Sequence, residues 1–194
     1  DVSFDEDQGG STSLSGSDVD GDQLTFSITE GTDIVASLNV NDVSFSAPLN
    51  FNGSESFTVS VTDGEYTDSQ AITVTVSAVN DAPVLAFVSA QNMDEGGTKV
   101  VLLSGTDVDE DVLTYSITDG INILSSIDGS TITFSVIDDD WNGSETFTAT
   151  VADSEYTHDQ TFTVTVNPIN DAPVLALVSD VSFDEDQGGS TSLS

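Results

Sequence analysis

The segment NDAPVLA at residues 80–86 decides how this chain is organised, because it returns unchanged at residues 170–176, ninety positions later. Two such periods separate residues 1–15 from residues 180–194, which are identical at a displacement of 179, or 89 plus 90. Self-similarity at a fixed period is the sequence signature of tandem domains. A period of about ninety residues suits one small sandwich domain per copy.

The period places the boundaries of the copies. We expect a first copy over residues 1–82, whose N-terminal edge is missing, and a second over residues 83–172. Residues 173–194 would then be the first strands of a truncated third copy. The shift is 89 before residue 38 and 90 after residue 50, so a loop or bulge in between is one residue longer in the second copy.

The composition excludes several classes of function. The formal net charge is −34, with 35 acidic residues and one basic residue, Lys99. Such a chain is not expected to bind nucleic acid or an anionic membrane surface, since both need Lys and Arg. No apolar run is long enough for membrane insertion. Without cysteine, bound metal is the available cross-link for an exported domain.

The sequence offers little for catalysis. The chain has a single histidine, His158, in a predicted turn, where we expect a solvated surface residue. Its counterpart in the first copy is Asp68, so a catalytic arrangement using it would exist in one copy only. Carboxylate pairs are too common in this chain to indicate acid–base catalysis. We therefore do not expect an enzyme.

Apolar and polar residues alternate with period two along the chain, which predicts half-buried β-strands. The strongest runs are residues 24–28, 57–61, 72–76 and 162–166; weaker runs are 34–40, 43–45, 123–127 and 132–136. Asp-Gly and Asn-Gly turn signals separate them. Seven or so short strands per copy predict an all-β fold of tandem antiparallel Greek-key β-sandwiches.

Six aromatic residues occur at equivalent positions of the two copies, and we expect them in the core or at its rim. They are Phe51, Phe57 and Tyr66 with their counterparts Trp141, Phe147 and Tyr156.

The acidic residues fall into the same small groups in each copy. Ca²⁺ takes six to eight oxygen ligands with little demand on geometry, so grouped carboxylates suit it. Turn formation is the alternative for each group, because Asp and Asn favour turns without any metal. A generally acidic surface, as in salt-adapted proteins, is a further alternative.

Three motifs in fixed order carry a resemblance to a known family. They are D-x-D-[GE]-D-x-L-T-[FY], [FW]-N-G-S-E-[ST]-F-T and [VI]-N-D-A-P-V, each present in both copies. Together they resemble the bacterial cadherin-like repeats of large extracellular adhesins, over the whole chain. The resemblance implies seven-stranded sandwiches arranged end to end, with Ca²⁺ at the junctions. The linker departs from the cadherin pattern, since Ala78 and Pro168 replace its first aspartate.

The resemblance also implies which residues bind the ions. The complete first junction would use Glu6, Asn80, Asp81, Asp107, Asp109 and Asp153. The second junction would use Glu95, Asn170 and Asp171, with an extra site from Asp138 and Asp140. Asp18, Asp20 and Asp63 would be the upper half of a further junction.

The expected function is structural: calcium-rigidified extension repeats of a secreted or cell-surface adhesin that supports attachment to cells or surfaces, as in a biofilm. The partners would be the neighbouring repeats of the same chain. Direct binding of carbohydrate or of like repeats on other chains is an alternative. Another is an extracellular filament, in which residues 173–194 pair with another chain. Asn52 and Asn142 fit the N-glycosylation pattern, although a tight turn also explains them.

Overall fold

The computed structural model describes residues 1–178, 180–187 and 189, and over these residues it contains strands and no helix. Contacts between Cα atoms divide the chain into two compact units. The first unit comprises Asp1–Ala86, Ser104–Tyr115 and Thr150–Asp159. The second comprises Phe87–Leu103, Ser116–Ala149 and the chain from Gln160 onward.

The first copy contains seven strands in two sheets. One sheet has the order β1-β7-β6-β3, and the other has the order β2-β5-β4. Neighbouring strands are antiparallel except β1 and β7, which pair in parallel. The strands are β1 (Val2–Asp5), β2 (Gly9–Ser13), β3 (Thr25–Ile28), β4 (Val35–Asn39), β5 (Asp42–Ser46), β6 (Gly53–Thr62) and β7 (Thr67–Ser77).

The second copy repeats this arrangement and adds two short strands. Its sheets have the orders β12-β15-β16-β9 and β10-β14-β13, and the short strands β8 and β11 pair separately. The strands are β8 (Val84–Leu85), β9 (Gln91–Asp94), β10 (Thr98–Leu102), β11 (Gly105–Thr106), β12 (Thr114–Ile117), β13 (Ile123–Asp128), β14 (Thr131–Val136), β15 (Gly143–Ala152) and β16 (Thr157–Asn167).

Alternation along the strands builds the core, because every second side chain points inward. In the first copy the core holds Phe4, Ile34, Val43, Phe45, Phe57, Val74 and Val76. The rings of Phe45 and Phe57 meet edge to face at 5.5 Å. In the second copy Phe134 lies 4.8 Å from Phe147 and 6.1 Å from Phe162, again edge to face. Such pairs add stability beyond the area they bury.

The structure confirms the all-β prediction, and every predicted run overlaps a strand. It also places the extra residue of the second copy. Phe51 N donates to Pro48 O, and Trp141 N donates to Asp138 O, so both copies make the same turn before β6 and β15. The additional residue therefore lies just before that turn, after β14.

The prediction of a position in the core or at its rim is wrong for two of the six aromatic residues. Tyr66 is 73% exposed and Tyr156 is 42% exposed. Each follows an aspartate in a tight turn, where the Asp63 and Asp153 carboxylates accept hydrogen bonds from the tyrosine N–H groups. The turn directs these rings outward. Phe57 and Phe147 are buried as predicted.

The expectation for His158 is also wrong. It lies within β16 and is half-buried, and its Nδ1 accepts a hydrogen bond from Leu85 N at 3.0 Å. The turn that was expected there ends one residue before β16 begins.

The predicted third copy falls partly outside the described residues, which omit 179, 188 and 190–194. The described residues after β16 carry no strand. They do repeat one turn of the first copy: Gln187 N donates to Asp184 O as Gln8 N donates to Asp5 O, both at 3.2 Å.

Truncating the core of the second copy should be strongly destabilising. We predict that Phe147→Ala lowers the free energy of unfolding by about 3–5 kcal/mol, since its ring is fully buried. Phe87→Ala is the matched control, because that ring is 85% exposed and its loss should cost about 0.5 kcal/mol or less. Urea unfolding followed by fluorescence of Trp141, the sole tryptophan, measures both. Equal losses in the two variants would contradict this core.

Candidate metal site

A group of polar side chains from four separate segments meets inside the first unit, and we call it the boundary cluster. The segments are the turn after β1, the connection after β7, the loop after β11 and the turn after β15. The cluster consists of Glu6, Asn80, Asp81, Asp107, Asp109, Asp111 and Asp153.

Glu6 is the most enclosed member, with 4% of its surface exposed. Its backbone N donates to Ser77 O at 2.9 Å, so β1 holds it against the end of β7. Its Oε1 accepts a hydrogen bond from Val79 N at 2.6 Å. Its Oε2 is buried without a hydrogen-bond partner among the described residues. One carboxylate oxygen thus fixes the connecting segment and the other remains available.

Asn80 and Asp81 join the connecting segment to two loops of the second copy. Asn80 Nδ2 donates to Asp153 Oδ2 at 3.0 Å. Asp81 N donates to Asp109 Oδ2 at 2.8 Å. The Oδ2 atom of Asp81 is a second buried carboxylate oxygen without a hydrogen-bond donor in the described chain.

The loop after β11 positions its aspartates through local turn hydrogen bonds. Asp107 Oδ1 accepts from Asp109 N at 2.9 Å and from Asp111 N at 3.4 Å, as aspartate does in turns. Its Oδ2 is the third buried oxygen lacking a hydrogen-bond donor in the described residues. One carboxylate oxygen from each of Asp107, Asp109 and Asp111 lies within 4.8 Å of the others.

The charges in the cluster act on one another. Burial is the largest cause that raises the pKa of Asp81, followed by the negative charges of Asp109, Asp7, Glu6 and Asp107. The hydrogen bond from Tyr156 N is the largest cause that lowers the pKa of Asp153, followed by the one from Asn80 Nδ2. Lys99, the single basic residue, belongs to the second unit.

This donor set fits a hard divalent cation. Buried charges are normally paired or bound to metal, and three buried carboxylate oxygens here have no hydrogen-bond donor among the described residues. All available ligand atoms are oxygens, which Ca²⁺ prefers over the nitrogen and sulfur ligands of transition metals. The residues present therefore fit the ion that the sequence led us to expect.

The structure brings all six residues predicted for the first junction into the first unit. It adds two residues that the sequence prediction omitted. Asp111 completes the triad of carboxylates after β11, and Asp7 contributes negative charge at Asp81. The third aspartate of D-x-D-x-D was the available signal for Asp111. Nothing in the sequence indicated the side-chain position of Asp7.

The residues predicted for the second junction repeat the local geometry of the first. Glu95 Oε1 accepts from Ile169 N at 2.6 Å, as Glu6 does from Val79 N. Asn170 Nδ2 donates to Asp171 O at 3.0 Å, as Asn80 Nδ2 does to Asp81 O at 3.2 Å. Asn170 and Asp171 are exposed. Their assignment to a metal stays a prediction.

The remaining predicted ligands make local turn contacts. Asp18 Oδ1 accepts from Asp20 N at 2.8 Å, and Asp63 Oδ1 accepts from Glu65 N at 2.8 Å. Asp138 Oδ1 accepts from Asp140 N at 3.1 Å, in an exposed loop beside Gly96. These contacts are turn chemistry, and metal binding by these residues stays a prediction.

The fold is shared with cadherin repeats. The structure of human protocadherin-24 EC1-2 (Form II) has a TM-score of 0.50 at 17% identity, over 80% of this chain and 87% of that one. PcdhgB3 EC1-4 has a TM-score of 0.49 at 16% identity, over 82% and 46%. At 17% identity the likeness to protocadherin-24 is one of fold.

A model of the bacterial Ig domain, Big_9, matches residues 1–75 and 80–167. The chain belongs to the bacterial Ig domain family. Its two matched segments correspond to two copies of an Ig-like and cadherin-like repeat, so that part of the expected family is confirmed. Domains of this class are usually extracellular. The described residues include no helix that could span a membrane.

A further solved structure that matches is an endo-fucoidan hydrolase of glycoside hydrolase family 107, MfFcnA4 with the H294Q substitution. It has a TM-score of 0.35 at 20% identity, over 76% of this chain and 24% of that one. This chain therefore spans about a quarter of that enzyme's length. Among curated protein sequences, none matches this chain.

Neutralising Asp81 should stabilise the cation-free protein. The pKa of Asp81 is raised in the folded state, so its charged form opposes folding. The protonated carboxyl stabilises the folded state at low pH, and this contribution to stability is lost as the pH rises through the raised pKa. We predict that Asp81→Asn raises the melting temperature in EDTA near neutral pH. We also expect it to remove the part of the pH dependence in which the wild type gains stability on acidification.

The exposed counterpart Asp171→Asn is the matched control and should change the melting temperature little. Calorimetry of the three proteins in EDTA measures the effect. If Asp81→Asn melts at or below the control, the cluster does not carry the repulsion described above.

Proposed function

We propose that the boundary cluster binds Ca²⁺ and that the ion stiffens the connection between successive repeats. The observation that carries the proposal is the set of three buried carboxylate oxygens, on Glu6, Asp81 and Asp107, that have no hydrogen-bond donor among the described residues. Protons or a cation must balance such oxygens near neutral pH. A divalent cation does so for all three at once.

The origin of the ligands supports a role in rigidity. Glu6 follows the first strand of the first copy, Asp81 lies on the connecting segment, and Asp107 lies on a loop of the second copy. An ion held by all three restrains the connecting segment at both ends. A flexible tether would otherwise be expected between adjacent domains.

Repetition extends this effect along a longer protein. Each boundary repeats the Asn-Asp-Ala-Pro-Val motif, and the Glu95 and Asn170 contacts repeat those of Glu6 and Asn80. A row of repeats joined by cations is a stiff spacer whose length grows with repeat number. We therefore propose that these bacterial Ig repeats are extension modules of a secreted or cell-surface adhesin, which hold a binding region away from the cell.

Calcium should stabilise the first unit measurably. At a free concentration one hundred times the dissociation constant, one site contributes about 2.7 kcal/mol. For a unit of this size we expect the melting temperature to rise by about 10 °C or more. Differential scanning calorimetry with Ca²⁺ and with EDTA measures the shift, and small-angle scattering under both conditions measures the change in flexibility.

Two pairs of variants localise the effect. Glu6→Gln and Asp107→Asn keep their hydrogen-bond acceptors and lose a charge, so we expect calorimetric titration to show at least a tenfold weaker calcium affinity. Glu95→Gln and Asp18→Asn are their counterparts in the other copy and should retain the wild-type affinity of the boundary cluster. Unchanged melting and unchanged scattering on EDTA treatment would exclude the proposal.

A further inference from the structure

A glutamate lies beside the core phenylalanine of β6 and of β15. Glu55 precedes Phe57 by two residues, as Glu145 precedes Phe147, so each pair points to the same side of its strand. Both glutamates are half-buried, whereas the serine and threonine residues on either side of them are exposed. The Asn-Gly-Ser-Glu motif thus directs a carboxylate toward the interior of each copy.

The Glu145 carboxylate contacts the loop at residues 118–122, which connects β12 in one sheet with β13 in the other. Its Oε2 accepts hydrogen bonds from Ile121 N at 2.9 Å and from Ile123 N at 3.2 Å. Its Oε1 accepts from Asn122 N at 2.8 Å and from Asn122 Nδ2 at 2.9 Å. One side chain therefore accepts the N–H groups of three consecutive residues. We call this loop, and its counterpart at residues 29–34, the crossover loop.

Glu55 makes the same contact in the first copy. Its Oε2 accepts from Thr32 N at 3.0 Å, and its Oε1 accepts from Asp33 N at 2.7 Å. The two loops read TEGTD at residues 29–33 and TDGIN at residues 118–122, so they share the threonine and the glycine. The contact recurs although the donor residues differ, because the backbone supplies the N–H groups.

The contact is long-range, unlike the turns that aspartates make elsewhere in this chain. Glu145 lies 24 residues after Ile121 and 22 after Ile123. Two further backbone hydrogen bonds lie at the ends of the loop: Thr118 N donates to Thr148 O at 3.1 Å, and Ile137 N donates to Asn122 O at 2.9 Å. The carboxylate thus supplies the acceptors for N–H groups where the chain leaves one sheet and enters the other.

A glycine lets each crossover loop lie directly on the core. A Cβ at Gly120 would collide with Ile123 O and lie 2.8 Å from the Phe147 ring, which is closer than real Cβ atoms come. A Cβ at Gly31 would meet the equivalent atoms of the first copy. Ile123, at the end of the loop, is fully buried. The closed loop therefore covers one end of the core.

The hydrogen bonds favour the charged form of both glutamates. The bond from Asp33 N is the largest cause that lowers the pKa of Glu55. For Glu145, burial is the largest single cause and raises the pKa, but the bonds from Asn122 and its neighbours outweigh burial, so the pKa is lowered. Hydrogen bonds to an ionised acceptor are roughly twice as strong as neutral ones. The carboxylate is therefore well suited to hold the loop.

We propose that Glu55 and Glu145 are latches, each of which keeps the crossover loop of its own copy closed over the core. Without the carboxylate the loop opens, whereas the strands stay paired through their own backbone groups. Such local opening exposes one end of a domain without unfolding the rest. Each latch lies within one copy and needs neither a cation nor a repeat boundary, so this inference is independent of the proposed function.

Glu145→Gln tests the latch in one copy and leaves the other copy as an internal control. Glutamine keeps the size of the side chain but replaces one acceptor oxygen with an amide group that faces the N–H donors. Hydrogen exchange of residues 118–123, followed by mass spectrometry in EDTA near neutral pH, should become about a hundredfold faster. Residues 29–34 and β14 should exchange as in the wild type.

Glu155→Gln is the matched control for the lost charge, because it makes the same substitution in an exposed turn. In a chain of net charge −34, removing one negative charge should by itself stabilise the folded state. We therefore expect Glu155→Gln to melt at or above the wild-type temperature. Glu145→Gln should melt below it, despite the same change in charge.

Two more variants complete the test. Glu55→Gln should give the reciprocal pattern, with fast exchange at residues 29–34 and wild-type exchange at residues 118–123. Asn122→Ala removes the side-chain bond and leaves the backbone bonds, so it should speed exchange of its own crossover loop by about tenfold or less. This milder change tests the latch without removing the carboxylate.

Three outcomes would overturn the proposal. One is wild-type exchange of residues 118–123 in Glu145→Gln. Another is equal acceleration of that loop and of β14, which would mean that the glutamate stabilises the whole copy and latches no loop. The third is equal acceleration of both crossover loops by either substitution.

Discussion

Negative charge confined at the first repeat boundary is the constraint on which the rest of this molecule depends. The boundary cluster places carboxylates from four segments against one another, and three of their oxygens are buried without a hydrogen-bond donor in the described chain. The charges of its neighbours help to raise the pKa of Asp81. In the proposed function a cation offsets this repulsion, and the same residues would then loosen the connection without the ion and tighten it with the ion.

The fold prepares these carboxylates through ordinary turn chemistry. Asp18, Asp63, Asp107 and Asp153 each accept backbone hydrogen bonds from residues just ahead of them in the chain, so their positions are set before any ion binds. What distinguishes the first boundary is burial by segments from both copies. Turn formation and metal binding, which the sequence offered as alternatives, are therefore compatible here: one carboxylate oxygen serves the turn and the other remains for a ligand.

The strands were predictable because alternation depends only on neighbouring residues and the period of a strand. The positions of Tyr66 and His158 were not. Tyr66 carries an apolar ring, yet the Asp63 turn directs it to solvent. His158 looks like a surface residue in sequence, but the return of residues 84–85 along the sandwich covers it. Both outcomes depend on contacts between distant parts of the chain, which no local pattern contains.

The candidate site, too, was predictable from local sequence patterns only in part. The motif positions identified Glu6, Asp81, Asp107 and Asp109, because spacing within a repeat is conserved between its copies. Asp7 was missed, since its counterpart in the second copy is Gly96, although Asp186 recurs at the same position after it. Its contribution depends on its distance from Asp81, and that distance is a property of the folded boundary.

A crystal structure of the chain grown in calcium tests the central claim most directly. The account predicts an ion among Glu6 Oε2, Asp81 Oδ2 and Asp107 Oδ2, at about 2.3–2.6 Å from each oxygen, with an anomalous signal that identifies calcium. Water alone at this position, with the three carboxylates unchanged, would contradict it.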